Sequence, residues 1–263
     1  MSEESNSPFP EGFRGALSLA FDDGWWPSQL RLALPMLNDN GLKATLYLSP
    51  IDSRPGRDDW LERLAPYARA AEDGHEIGNH TLSHICSRAH RATMDGPCLE
   101  AMTLSDLEAD ILAAQQRLTE GTGTPPRTFA YPCYHEHVGE GPSRQSYVPL
   151  IAKHFVAGRG AGEFANIPLT CDLHYLWSTS AEAMTGPALV GMAVRAAMQG
   201  KWQILDFHGI DEGHLSVPRV AFHELLVFLS RHNSDIWVAP VVEVAERIVE
   251  WRSLNHESTK GRR

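Results

Sequence analysis

His80 and His84 stand four positions apart in the run NHTLSH. On a helical turn that spacing puts both imidazoles on one side, the arrangement a metal ion needs from two nitrogens. In a chain with 13 histidines the same spacing also arises by chance, and two exposed helix histidines are the plain alternative. Asp22-Asp23-Gly24 directly follows an apolar run, Ala16 to Phe21. Two adjacent carboxylates repel each other and make poor core residues. Asp-Asp-Gly is also an ordinary solvated turn. A cation changes the balance, because one carboxylate can bind it while the other stays free as a base. One Asp with two His gives three ligands and open positions, which suits a catalytic divalent ion and its water. Zinc is the first expectation for such a set, with cobalt, nickel or iron open.

The elements that must position these residues alternate along the chain. ALSLAF at 16–21, LKATLYL at 42–48, HEIG at 75–78, TFAY at 128–131, FVA at 155–157, QILDF at 203–207 and IWVA at 236–239 read as strands. Helices are expected at 28–38, 59–71, 103–119, 187–199, 218–231 and 241–252, with Ser105 and Glu108 resembling a capping box. The segment 158–184 gives no clear element. Strands alternating with helices indicate βα units and a parallel sheet, in about seven units, as a barrel or a doubly wound sheet. Ligands bind at the C-terminal strand ends of either fold. Asp22-Asp23, His80 with His84, Tyr131-Pro132 and His208 all follow predicted strands, so four strand ends aim special residues at one face.

Composition narrows the partners. The 263 residues carry 23 Lys and Arg against 33 Asp and Glu, a formal charge of −10. That argues against nucleic acid and anionic membrane surfaces, which demand basic patches. No run approaches 18 apolar residues, so no membrane span is expected. The start, MSEESNSPFPEGFRG, has no basic and apolar leader pattern, so a cytoplasmic location is expected. Cys86, Cys98, Cys133 and Cys171 form no CxxC pair, and free thiols in a reducing compartment are the expectation. Residues 1–14 read as a flexible lead-in, 15–254 as a single domain and 255–263 as a polar tail.

FDDG after its strand, HTLSH 57 residues on, FAYPCY and the late LDFHG occur in an order that resembles carbohydrate esterase family 4, the NodB-homology polysaccharide deacetylases. The resemblance spans about residues 16 to 250. It implies a distorted (β/α) barrel of about seven strands. It also implies that Asp22 is the catalytic base, that Asp23, His80 and His84 hold one divalent metal, and that His208 is the general acid. The family's third motif usually places an Arg ahead of its Pro-Tyr to support the base, and FAYPCY has none. Asp172 and Trp177 are the candidates for its fourth motif.

Other residues have two readings. Trp25 and Trp26 could form a sugar-stacking wall or simply pack. Tyr131, Pro132 and Tyr134 could contact substrate, and His135, His137 and His214 could line the pocket or sit in exposed loops. His75 is expected to satisfy local hydrogen bonds. The leading expectation is an enzyme that removes N- or O-linked acetyl groups from an oligosaccharide or glycoconjugate. An allantoinase-like hydrolase of a cyclic amide, and an inactive carbohydrate-binding protein on the same scaffold, are the alternatives.

Overall fold

The structure is a computed structural model, and it describes residues 7–90, 97–231 and 235–260. The strands are β1 Gly15–Phe21, β2 Thr45–Leu48, β3 Glu76–Asn79, β4 Thr128–Ala130, β5 His137–Val138, β6 Gln145–Ser146, β7 Ala157–Ala161, β8 Leu176–Ser180, β9 Trp202–Phe207 and β10 Ile236–Val238. The α-helices are α1 Leu34–Asp39, α2 Trp60–Glu72, α3 Leu104–Thr122, α4 Val148–His154, α5 Gly186–Met198, α6 Arg219–Arg231 and α7 Val241–Lys260. Seven parallel strands close in the order β1-β2-β3-β4-β7-β8-β9, and β9 returns to pair with β1 from Ala16↔Trp202 to Phe21↔Phe207. This is a distorted (β/α) barrel, as the alternating pattern and the resemblance implied.

The distortion lies at the seam. β2 meets β1 only at Ala20 and Phe21, while β10 takes the other end of β1 at Gly15–Leu17. β5 and β6 form a separate antiparallel ladder above the barrel wall. Helices α2, α5 and α6 bury Leu64, Tyr67, Leu189, Ala193, Phe222 and Leu225 against the strands in one apolar layer. Inside the barrel Tyr47 is fully buried, and β3 passes it at a glycine. A Cβ on Gly78 would lie 2.3 Å from the Tyr47 ring, so only glycine lets the two strands pair there.

Several expectations need correction. His80 to His84 is a loop and not a helical turn, with Thr81 at φ 63° and His84 at φ 47°. The lead-in is packed where it is described: Phe9 is buried with Trp202 and Val241 in the core at the foot of the barrel. Residues 1–6 lie outside the described residues. The polar tail continues α7 as far as Lys260, and 261–263 lie outside the described residues. The capping box belongs to Thr103 and Asp106, two residues earlier than expected. The unread segment 158–184 holds β8, whose LWSTS lacks an apolar run because Trp177 faces outward. The expected helix at 28–38 begins with a π-helical turn, Gln29–Ala33.

Candidate metal centre and active site

β1 ends in Phe21, and the chain turns sharply through Asp23 at φ 76° and Gly24 at φ 78°. Positive φ in an aspartate is uncommon, and the short polar side chain tolerates it best. The turn is held from both sides, by the Ser49 N–H donating to Asp23 O and by the Tyr67 hydroxyl donating to Gly24 O. Its carboxylate is 5 % exposed and points into the barrel mouth. The Trp26 indole N–H donates to Asp23 Oδ2 at 2.8 Å. Asp23 Oδ1 is buried with no hydrogen-bond partner, yet His84 Nε2 lies 3.2 Å and His80 Nε2 3.6 Å from it.

The two histidines are presented by a loop rather than a helix. Asp110 of α3 accepts hydrogen bonds from the Leu82 and Ser83 amides, and Asn79 Oδ1 accepts from Thr81 N–H. These contacts bend 80–84 back so that the rings lie 4.8 Å apart. His80 Nδ1 lies 2.9 Å from Ala130 O, so that nitrogen carries the proton. Burial pulls the His80 pKa down, so the ring is held neutral and Nε2 turns a lone pair toward carboxylate oxygens. Burial alone would raise the Asp23 pKa, but the His80 and His84 rings beside it outweigh burial and hold its carboxyl well below the usual carboxylate range. Lone pairs facing an unpartnered carboxylate oxygen are costly unless a cation sits among them.

The remaining charges give the same answer. Asp22, Asp23 and Asp206 are all buried, at 3 %, 5 % and 0 % exposure. Among the described residues the one buried cation beside them is Arg159 of β7, which is itself fully buried. Arg159 Nη2 donates to Asp22 Oδ1 and lies 3.1 Å from Asp206 Oδ1, its Nη1 donates to Ser178, and its guanidinium stacks 4.8 Å over Tyr47. Three carboxylates against one guanidinium leave two negative charges, which a divalent cation would balance. Asp23, His80 and His84 fit such an ion.

The other side of the mouth is built from β9. Ligand atoms of Asp22, Asp206 and His208 all lie within 4.8 Å of one another, and His208 Nδ1 is buried without a partner. Gln29 Nε2 donates to both Asp22 O and His208 O, so one amide fastens the ends of β1 and β9 together. The Tyr134 hydroxyl donates to Asp206 Oδ2 at 2.6 Å, and burial with the nearby Asp206 pushes its pKa well up, so the proton stays.

Asp22, Asp23, His80, His84 and His208 thus converge, with Trp25 edge-on to His84 at 5.2 Å. Trp26 leans on His214 as well as holding Asp23. Tyr131 and Pro132 do not offer polar groups to the mouth: both are buried, and the Tyr131 hydroxyl donates to His174 O. Neither fourth-motif candidate is in the site. Asp172 is exposed and accepts from His174 N–H, and Trp177 lines a cavity of about 480 Å³ on the outer wall. His135 accepts from the Ser87 N–H, and His137 opens β5 beside Glu136. His75 bonds locally, to Ala44 N–H and Asn38.

Sequence reasoning missed Arg159, Asp206 and Gln29. Arg159 supplies from β7 the guanidinium that the third motif lacks on β4, the adjacent strand. Its signal was an arginine inside a short strand, in a segment that gave no clear element. It also missed a disulfide: Cys86 and Cys133 are joined, which corrects the expectation of free thiols, and Cys98 and Cys171 are free.

Comparison with known proteins agrees with this geometry. A family model described as polysaccharide deacetylase matches residues 12–136. The peptidoglycan deacetylase PdaC from Bacillus subtilis superimposes with a TM-score of 0.57 at 18 % identity, over 95 % of this chain and 99 % of that one. A family 4 acetyl xylan esterase from Clostridium thermocellum, solved with a cobalt ion, gives 0.52 at 19 % identity, over 87 % and 89 %. The uncharacterized protein YlxY of Bacillus subtilis (strain 168) is 26 % identical over 109 residues, 41 % of this chain and 28 % of that protein. Residues 12–136 are thus similar to the polysaccharide deacetylase family model, and the chain folds as a barrel like that of the solved family 4 esterase.

Proposed function

We propose that this protein is a metal-dependent hydrolase that removes acetyl groups, N- or O-linked, from a carbohydrate. The observation that carries the reading is the unpartnered Asp23 Oδ1 facing two histidine Nε2 atoms, beside a second carboxylate braced by arginine. Asp23, His80 and His84 would hold a divalent ion, zinc in the first instance, which would polarise a carbonyl and lower the pKa of water. Asp22 stands next to that position and takes the proton from the attacking water. Arg159 fixes the Asp22 carboxylate from behind, leaving Oδ2 toward the mouth, 3.7 Å from His80 Nε2. His208, across the mouth, donates a proton to the leaving amine or alcohol. In the third-motif loop the Tyr131 and Tyr134 amides are bonded to Arg159 O and Tyr131 O, which leaves the Cys133 amide for the oxyanion. Trp25, beside His84, forms one wall for a sugar ring.

The inactive-scaffold alternative rested on the missing third-motif Arg. With Arg159 on Asp22, that support is gone. The test is acetate release from acetylated chito- and xylo-oligosaccharides, with allantoin as a competing substrate. Release from the sugars supports the reading, and its preferred linkage separates amidase from esterase. Turnover of allantoin with none of the acetyl sugars would replace it with the cyclic-amide hydrolase.

A further inference from the structure

The two ring ligands are held unequally. His80 is fully buried, and its Nδ1 proton is fixed on Ala130 O. The His84 side chain is 22 % exposed, and its Nδ1 lies 3.9 Å from the sulfur of Cys86. That sulfur is covalently joined to Cys133, 47 residues along the chain, with the two Cα atoms 5.7 Å apart. Cys133 sits in the Pro132–Tyr134 turn, next to the tyrosine that holds Asp206. One bond therefore ties the loop of a metal ligand to the loop that braces the acid–base side.

Both loops need tying. His84 at φ 47°, Cys133 at φ 51° and Tyr134 at φ 61° occupy the left-handed region without being glycine. Such backbone persists only where its surroundings hold it. The His84 amide has one hydrogen bond, to Thr81 Oγ1. A cross-link closing a long loop restricts the alternatives open to both segments.

We propose that Cys86–Cys133 is a redox-sensitive modification site that sets the affinity of the metal centre. Closed, the bond holds His84 against Asp23; opened by a dithiol, it frees the 84–86 and 132–134 loops and metal affinity falls. The inference rests on Asp23, His80 and His84 being the metal centre. Cys133 is the more accessible partner, since Cys86 is buried. A thiolate of the dithiol attacks the Cys133 sulfur, forming a mixed disulfide and releasing Cys86 as thiolate. The second thiol of the reagent then closes the reagent's own disulfide and releases Cys133. Two electrons and two protons pass from the dithiol to the cysteines. Disulfides persist in oxidising compartments and are opened in reducing ones, so the bond makes the site responsive to its surroundings.

The experiment uses the full chain, stripped of metal with a chelator, and cobalt(II) as the probe. Alkylation of the unfolded, air-equilibrated protein should modify two cysteines before reduction, Cys98 and Cys171, and all four after it. Four adducts without reductant would overturn the proposal. Cobalt affinity is then read from its visible absorption in three samples: oxidised protein, protein reduced by a dithiol removed under nitrogen, and the Cys86→Ser/Cys133→Ser variant. The oxidised protein should bind on the order of tenfold more tightly than the other two, and reductant should not change the variant. Should the variant fail to fold by circular dichroism, the oxidised and reduced wild-type samples carry the comparison. Equal affinity in oxidised and reduced protein would overturn the proposal. Tighter binding in the reduced protein, with a thiolate-to-cobalt charge-transfer band, would also overturn it, because the thiols would then be ligands. Absence of cobalt binding in every sample would overturn the metal-centre reading itself.

Discussion

Arg159 touches Asp22, Asp206, Ser178 and the Tyr47 ring from a position with no exposure. Removing one partner of a buried ion pair leaves an uncompensated charge, at a cost of about 3–5 kcal/mol. Arg159→Ala should therefore lower stability by that order, measured by denaturant unfolding. Arg159→Lys keeps the charge but loses the planar fork, and kcat for acetate release should fall on the order of a hundredfold with metal affinity nearly unchanged. Trp26 acts on the other carboxylate. Trp26→Phe keeps the ring but deletes the indole N–H on Asp23 Oδ2, and cobalt affinity should drop about tenfold in a chelator competition. Asp22 and Asp23 stood out as poor packing at a strand end, although Asp-Asp-Gly also reads as a solvated turn and the resemblance supplied their roles. Arg159 was harder to read, because its one signal, an arginine inside a short strand, does not separate a buried arginine from a surface one.

The elements show why the reading of boundaries and of the ligand segment parted. Most strand positions came through because apolar runs stopped by Asp-Gly or Pro are punctuated by backbone chemistry, whereas the strand expected at 155–157 lies at Ala157–Ala161 and β8 went unread. HTLSH misled because HxxxH spacing suits a helix, whereas Asp110 on α3 and Asn79 offer the loop's amides better partners than a helical turn would. The same helix α3 ends at Gly123, φ 73°, with open space where a Cβ would be. Gly123→Ala should cost about 1 kcal/mol from left-handed backbone alone, and lower Tm by about 2–4 °C. β3 begins beside His75, whose pKa is pulled down to about 4 by burial, with Lys43 adding to it. Its Nδ1 accepts from Ala44 N–H, and protonation there would break that bond. The folded protein takes this proton less readily than the unfolded one, so stability falls as pH drops from about 6.5 and stops falling on this account near 4. His75→Gln should flatten the Tm-against-pH curve in that window.

At the scale of the molecule, the barrel converts four separated stretches of sequence into one mouth. Seven parallel strands end there together, so two carboxylates after β1, two imidazoles after β3, an arginine from β7 and an imidazole after β9 share a volume that no single segment could define. The alternation of strands and helices made the fold legible. The disulfide and the placement of Arg159 depend on which strands become neighbours, and that order is a property of closure. A divalent ion held in the mouth would balance its buried charge, and such an ion should therefore also stabilise the fold. The most direct measurement is acetate release by metal-stripped protein as zinc or cobalt is titrated back, for wild type and Asp23→Asn. Activity that is absent without metal, rises to saturation at one ion per chain in the wild type and stays absent in Asp23→Asn is the expected result. Full release by the stripped protein, or an unchanged titration in Asp23→Asn, would contradict a metal centre at Asp23, His80 and His84.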